Sequence, residues 1–211
     1  MHGILGVILA VVIVIAWAQH CSERPGGCCP GRNDECAPPG AFCFCDDYCR
    51  EASDCCSDFP SGCNCSLDVK RLACEVQSNS HITLLTVNPS GVNDGADAKS
   101  NIQDTCNGGK ARRSSYCCKA GCSPGGSICL SEKVLQYVLA LANETHSIQV
   151  NSLAGACHSN TSHHYQGTAV DLQVFDESSH TAWMDKCGDM EAVENLGPGN
   201  PGHSSHTHCA F

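Results

Sequence analysis

Basic side chains are scarce in this sequence: 12 Lys and Arg stand against 22 Asp and Glu, for a formal net charge of -10. A phosphate backbone is held by clustered Lys and Arg, and no basic run exists here, so the composition argues against nucleic-acid binding. Long apolar runs are lacking too. The one candidate, Ile4 to Ile15, is too short to span a bilayer comfortably. Ala16-Trp17-Ala18 follows it with the small-x-small ending that signal peptidase accepts, although His2 is the only basic-type residue ahead of the apolar core. Residues 1–18 are therefore expected to be a secretory signal, and the mature protein to be secreted, extracellular and free of any membrane segment.

Large apolar residues are sparse between positions 21 and 65, where a conventional core cannot be built. That stretch holds eleven of the chain's 20 cysteines, with Gly and Pro between them. Behind a secretory signal such cysteines are expected as disulfides that staple a small module together. Eleven is odd, so at least one bridge must leave the zone, and Cys74 is the nearest available partner. The eight cysteines from Cys106 to Cys209 are then expected to pair among themselves, in an order that spacing leaves open.

Beyond position 65 the pattern changes. Residues 66–80 read as a linker or a first turn of structure. His81 to Val87, rich in β-branched and apolar residues, reads as a strand closed by Asn88-Pro89-Ser90-Gly91. Residues 92–128 are polar and Gly-rich, and read as loop and short strand. Ser131 is placed to cap a helix running to about Asn143, since Leu130, Val134, Leu135, Val138, Leu139 and Leu141 form a stripe at helical spacing. Ile148 to Ser152 alternates as a strand, Thr181 to Cys187 is a weaker helix candidate, and Asn195 to Gly202 is turn-rich.

Seven of the 11 histidines lie from His158 onward. His164 and Asp171 are seven apart with Gly167 between them, where the chain must curl if both are to face one point. His206 and His208 are two apart and would share one face of a strand. Two imidazoles and one carboxylate suit zinc, filling three corners of a tetrahedron and leaving the fourth for water. Asn64, Asn143 and Asn160 fit the N-x-Ser/Thr acceptor pattern, and a glycan on Asn160 would stand four residues from His164.

Two family resemblances follow from these motifs. Cys43-Phe44-Cys45-Asp46-Asp47-Tyr48-Cys49, continuing through Cys55-Cys56 to Cys63, resembles the somatomedin B module. The upstream run Cys28-Cys29-Pro30 to Cys36 is similar to the extended version in the tubulointerstitial nephritis antigen group. This resemblance implies a disulfide-knotted module, residues 21–65, that binds extracellular protein or matrix. From about His81 onward, Ser162-x-His164-x-x-Gly167-x-Ala169-x-Asp171 with His206-x-His208 resembles the D-Ala-D-Ala metallopeptidases of the M15 type and the hedgehog signalling domain. Asn101 to Thr105 and Ala154 to Ser159 look like a bacterial branch of the same superfamily.

The second resemblance implies that His164, Asp171 and His208 bind zinc. It makes His206 the catalytic histidine, placed either behind the ligands or against the transition state. Two features of the peptidases are not met. Ser205 stands where they carry the general-base carboxylate and Gly202 where the hedgehog domain carries a glutamate, leaving Glu194 or Asp185 as acids the fold might bring in. Ser152 to Cys157 contains no arginine to hold a substrate's terminal carboxylate. The expected fold is α+β, a small disulfide knot followed by an antiparallel zinc-site sheet with helices, in domains 21–65 and 81–211. The expected function is a secreted metallopeptidase-like hydrolase acting on peptide bonds, with cell-wall peptides as one substrate class. The alternative is a non-catalytic extracellular or matrix binding protein with a structural zinc site.

Overall fold

The computed structural model describes residues 20, 21, 24, 28, 29, 32–46, 48–59, 63–145, 147–175 and 177–211. The apolar segment 1–18, read above as a signal, lies outside them. The chain divides into two compact units, Met1–Phe59 and Pro60–Phe211.

Among the described residues of the first unit, regular structure is confined to the four-residue helix α1 (Cys49–Ala52) and isolated bridges. Bridges Cys21–Cys45, Cys29–Cys36, Cys43–Cys56 and Cys49–Cys55 hold it, and Cys28 is disulfide-bonded as well. Its interior is sulfur: Cys21, Cys36 and Cys45 are fully buried. Asp46, also buried, accepts the backbone N–H groups of Asn33 and Cys49 and so ties the loops together.

The second unit is α+β. Its elements are α2 (Leu67–Ser78), β1 (Ile82–Leu84), α3 (Ala98–Cys106), β2 (Ala111–Arg112), β3 (Cys117–Cys118), β4 (Gly121–Cys122), β5 (Ser127–Ile128), α4 (Glu132–Thr145), β6 (Ile148–Ser152), β7 (Ala169–Gln173), α5 (Glu177–Asp189), β8 (Glu194–Leu196) and β9 (His206–Ala210). Strands run in the order β1-β6-β7-β9-β8, with β2/β5 and β3/β4 as separate two-stranded pairs. The sheet expected to be antiparallel is mixed, because β1 pairs parallel to β6. The chain reaches β6 from β1 through α3 and α4, and a crossover of that length permits the parallel pairing.

Residues 66–80 are not a linker. Ser66 accepts the N–H of Val69 as an N-cap, and Val69, Leu72, Ala73 and Val76 recur at i, i+3, i+4 and i+7 to bury one face of α2 in the core. The stretch read as loop and short strand also contains a helix, α3, capped by Asp97 through Ser100 N–H. Ser131 caps α4 as expected, accepting Val134 N–H.

The bridge that leaves the cysteine-dense stretch is Cys65–Cys129, and Cys74 pairs with Cys106 instead. Helix formation explains the exchange: α2 turns Cys74 toward the end of α3, while Cys65, just before the cap, meets the entry to α4. The remaining bridges are Cys117–Cys122, Cys118–Cys157 and Cys187–Cys209, within the expected set. No helix of the described residues is long and apolar enough to cross a membrane.

Strand alternation divides the sheet by face. Ile148, Val150, Val170, Leu172 and Cys209 join the core formed with α2, α4 and Trp183 of α5. Asn151, Asp171, Gln173, His206 and His208 line a cavity of about 980 Å³. Asn101, fully buried, links this framework to the site: its Oδ1 accepts Ala154 N–H and its Nδ2 donates to Arg112 O, both at 2.8 Å. Replacing it by Leu leaves the buried Ala154 N–H and the partly buried Arg112 O without these partners. Asn101→Leu is therefore expected to cost about 2–4 kcal/mol in urea unfolding under non-reducing conditions, and a loss under 1 kcal/mol would contradict the assignment.

Candidate metal centre

Three elements deliver three ligand-type side chains. His164 sits in a single 3-10 turn, His163–Gln166, whose Ser162 cap accepts His164 N–H. The turn ends at Gly167 with φ +73°, and a Cβ there would meet Cys129 O at 2.3 Å. Only glycine fits both the backbone angle and the space. The chain then enters β7, where Asp171 lies directly across from His208 of β9. Cross-strand partners share a face, so sheet register alone brings the carboxylate and the second imidazole together.

The donor atoms converge tightly. His164 Nε2 lies 3.2 Å from Asp171 Oδ1 and 3.2 Å from His208 Nδ1, and His208 Nδ1 lies 2.8 Å from Asp171 Oδ1. A tetrahedral ion with bonds near 2.0–2.1 Å has ligand-to-ligand edges of about 3.3 Å. The opposite ring nitrogens fix which atoms face inward. His164 Nδ1–H donates to Leu153 O, leaving Nε2 its lone pair, and His208 Nε2–H donates to Glu194 Oε2 at 3.2 Å. A carboxylate behind a ligating imidazole orients the ring and raises its basicity.

His158, His164 and Asp171 form a second combination close enough to hold a metal ion. The His158 ring, however, stacks on His164 with centroids 3.9 Å apart and planes at 9°. An ion lies near the plane of each imidazole that binds it, and two stacked parallel planes share no such point. The planes of His164 and His208 are tilted by 59° and do intersect. His158 Nε2 is 3.2 Å from Gly155 O and 3.4 Å from Ser152 Oγ, anchoring the ring as a plate against His164.

The electrostatics follow from this packing. Burial pulls His208 down, but the hydrogen bond and charge of Asp171 and then the charge of Glu194 outweigh it, so its pKa is raised. Burial alone would raise Asp171; in the ion-free protein, where protons stand on the inward-facing nitrogens in place of an ion, the His164 charge and the hydrogen bonds from both imidazoles hold it well below the carboxylate range. Burial, with His164 beside it, pushes His158 down to about 3. His206 is also lowered, chiefly by burial.

His206 lies on the same strand as His208 and lines the cavity, with its ring 4.8 Å from that of His203. Ser205 and Gly202 line the cavity as well, without a carboxylate. Of the two acids considered from sequence, Glu194 reaches the site from β8, whereas Asp185 is exposed on α5 and is not part of the cavity wall. Sequence reasoning gave no role to His158, and Glu194 was not placed. Glu194 sits two residues from Leu196, the partner of His208, a diagonal relation that becomes visible once β8 is paired.

No family model matches the chain, and no solved structure matches it. Curated relatives named tubulointerstitial nephritis antigen-like match over 47 residues, at 53% identity in Mus musculus and Rattus norvegicus and 51% in Homo sapiens. The match takes in 21% of this chain and 10% of each relative's length. It fits a cysteine-rich N-terminal module. The chain thus joins a disulfide-rich module of that kind to an α+β unit with a His/Asp group able to hold a metal, and its disulfides fit an oxidising, extracellular setting.

A raised His208 pKa gives a signed pH dependence. Its contribution to metal-free stability is fully present below the unfolded value of about 6.5 and is lost as pH rises through the folded value. The contribution of Asp171 has the opposite sign and is lost only as pH falls into the strongly acidic range. Over the same window the lowered His158 and His206 act the other way, costing stability most below about pH 6.5. In chelator-treated protein the change in urea midpoint from pH 6 to pH 9 should therefore be more negative in the wild type than in His208→Gln. An equal change in the two, or a more negative one in the variant, would contradict this.

Proposed function

We propose that the chain is a secreted zinc protein of the hedgehog/D-Ala-D-Ala metallopeptidase type that hydrolyses peptide bonds, localised by its somatomedin B-like module. The observation that carries this reading is the convergence of His164 Nε2, Asp171 Oδ1 and His208 Nδ1 at 2.8–3.2 Å, with Asp171 and His208 on the cavity wall. Two imidazoles and one carboxylate, each imidazole with its second nitrogen already bonded, fit zinc better than the all-oxygen sets preferred by magnesium or calcium. Zinc held there supplies Lewis acidity toward a peptide carbonyl and toward water.

The chain's own residues do the rest. Glu194 holds the His208 ring by its Nε2–H and keeps Nδ1 aimed inward. With Glu194 so engaged and Ser205 and Gly202 carrying no acid, proton handling in the cavity falls to imidazole. His206, neutral near pH 7 because burial lowers its pKa, is suited to hydrogen-bond the reacting carbonyl oxygen and to exchange a proton with the leaving amine. Cell-wall peptides are one substrate class this chemistry suits. The module would bind extracellular protein or matrix and bring the hydrolase to its substrate.

A second reading, a binding protein with structural zinc, is favoured by the same engagement of Glu194. Metal analysis and a peptide and peptidoglycan-fragment library separate the two. The hydrolase reading expects about one zinc per chain, lost in His208→Ala together with turnover. It expects His206→Ala to keep zinc while turnover falls about 10²-fold or more. Zinc affinity should drop about 10–100-fold in Glu194→Gln. Stoichiometric zinc with no turnover above the His208→Ala control would leave the binding reading standing and sink the hydrolase.

A further inference from the structure

Three acceptor sequons occur in the chain, and all three asparagines are exposed: Asn64, Asn143 in α4, and Asn160. Asn160 differs in its position. Ser159, Thr161 and Ser162, its neighbours on either side, line the cavity that holds the metal ligands, and so do Cys118 and Ala120 of the facing β3/β4 hairpin. Asn160 therefore stands on the rim between loop and hairpin. Gly121 makes room for it: a Cβ at that position would fall 2.5 Å from Asn160 Oδ1.

We propose that Asn160 carries an N-linked glycan that screens the mouth of the cavity, so that the site admits slender, unfolded peptide segments and rejects folded proteins. The size selection rests on the hydrolase reading; the modification and the screening do not. The bond forms when Nδ2 attacks the anomeric carbon of a lipid-linked oligosaccharide and displaces the lipid diphosphate. One amide proton is lost and the other N–H is kept. Ser162 supplies the sequon hydroxyl during synthesis, before its Oγ becomes the cap that accepts His164 N–H. Lys119, exposed at the tip of the hairpin, is two residues along the chain from Gly121, whose backbone approaches Asn160, and so falls within the sweep of a glycan attached there.

Full-length protein and Asn160→Gln, both secreted from a glycosylating eukaryotic host, provide the test. Glycopeptide mass spectrometry should find Asn160 occupied. Trypsin under non-reducing conditions serves as a bulky probe of the rim that needs no metal. Exposed loop tips are preferred nicking sites, and cleavage after Lys119 should be about fivefold or more faster in Asn160→Gln. Turnover of a short unstructured peptide should be equal in the two forms, and turnover of the same sequence displayed on a folded carrier should rise in the variant. An unmodified Asn160, or equal nicking at Lys119 in both forms, overturns the proposal. Faster nicking with equal turnover of the carrier overturns the size selection. Absence of turnover in both forms counts against the hydrolase reading and, with it, the size selection, while occupancy and nicking still decide the glycan and its screening.

Discussion

Everything at the site depends on one buried pairing, Asp171 against His208 across β7 and β9. A carboxylate taken out of water is costly unless it is paired and hydrogen-bonded, and here two imidazoles answer it. The same register that pairs the strands sets the two side chains on one face. The outer partners, Leu153 O for His164 and Glu194 for His208, then leave little freedom in which nitrogen points inward. The convergence of these donor atoms is thus a consequence of sheet register reinforced by hydrogen bonds from behind.

Disulfides determine how rigidly that register is held. Cys187–Cys209 fastens α5 to the residue after His208, and Cys118–Cys157 fastens the β3/β4 hairpin to the residue before His158. Cys65–Cys129 closes a 64-residue separation between the start of α2 and the entry to α4, and the backbone of Cys129 and Leu130 is what crowds Gly167. Such bridges act mainly by restricting the unfolded chain, and a typical one contributes about 2–4 kcal/mol. A centre built this way is expected to keep its shape without its ion, in contrast to a zinc finger whose fold is the metal's binding energy.

Much of the second unit was legible in the sequence, and the failures have particular causes. β6 shows a plain alternation and α4 a full apolar stripe with a Ser cap, and both lie where the pattern puts them. The spacing of Val69, Leu72, Ala73 and Val76 is as regular, but Ala73 is small and Asp68, Lys70, Arg71 and Glu75 lie between, so the apolar stripe is thin and from sequence the stretch reads as linker or first turn. Helix α3 was hidden because its buried face includes Asn101 and Thr105, polar residues satisfied only by tertiary partners. His164, Asp171, His206 and His208 were visible as a motif. Glu194 was named without a place and His158 was given no role, because one reaches the site through strand pairing and the other through ring stacking, neither of which leaves a spacing signal.

The central claim is that His164, Asp171 and His208 form one zinc site with an open fourth direction. Zinc K-edge X-ray absorption of the intact, glycosylated protein tests it most directly, because it reads the donor set without reference to activity. The account predicts a four-coordinate ion with two imidazole nitrogens and two oxygens at about 2.0–2.2 Å. A three-imidazole set, a sulfur shell near 2.3 Å, or protein that retains no zinc would contradict it.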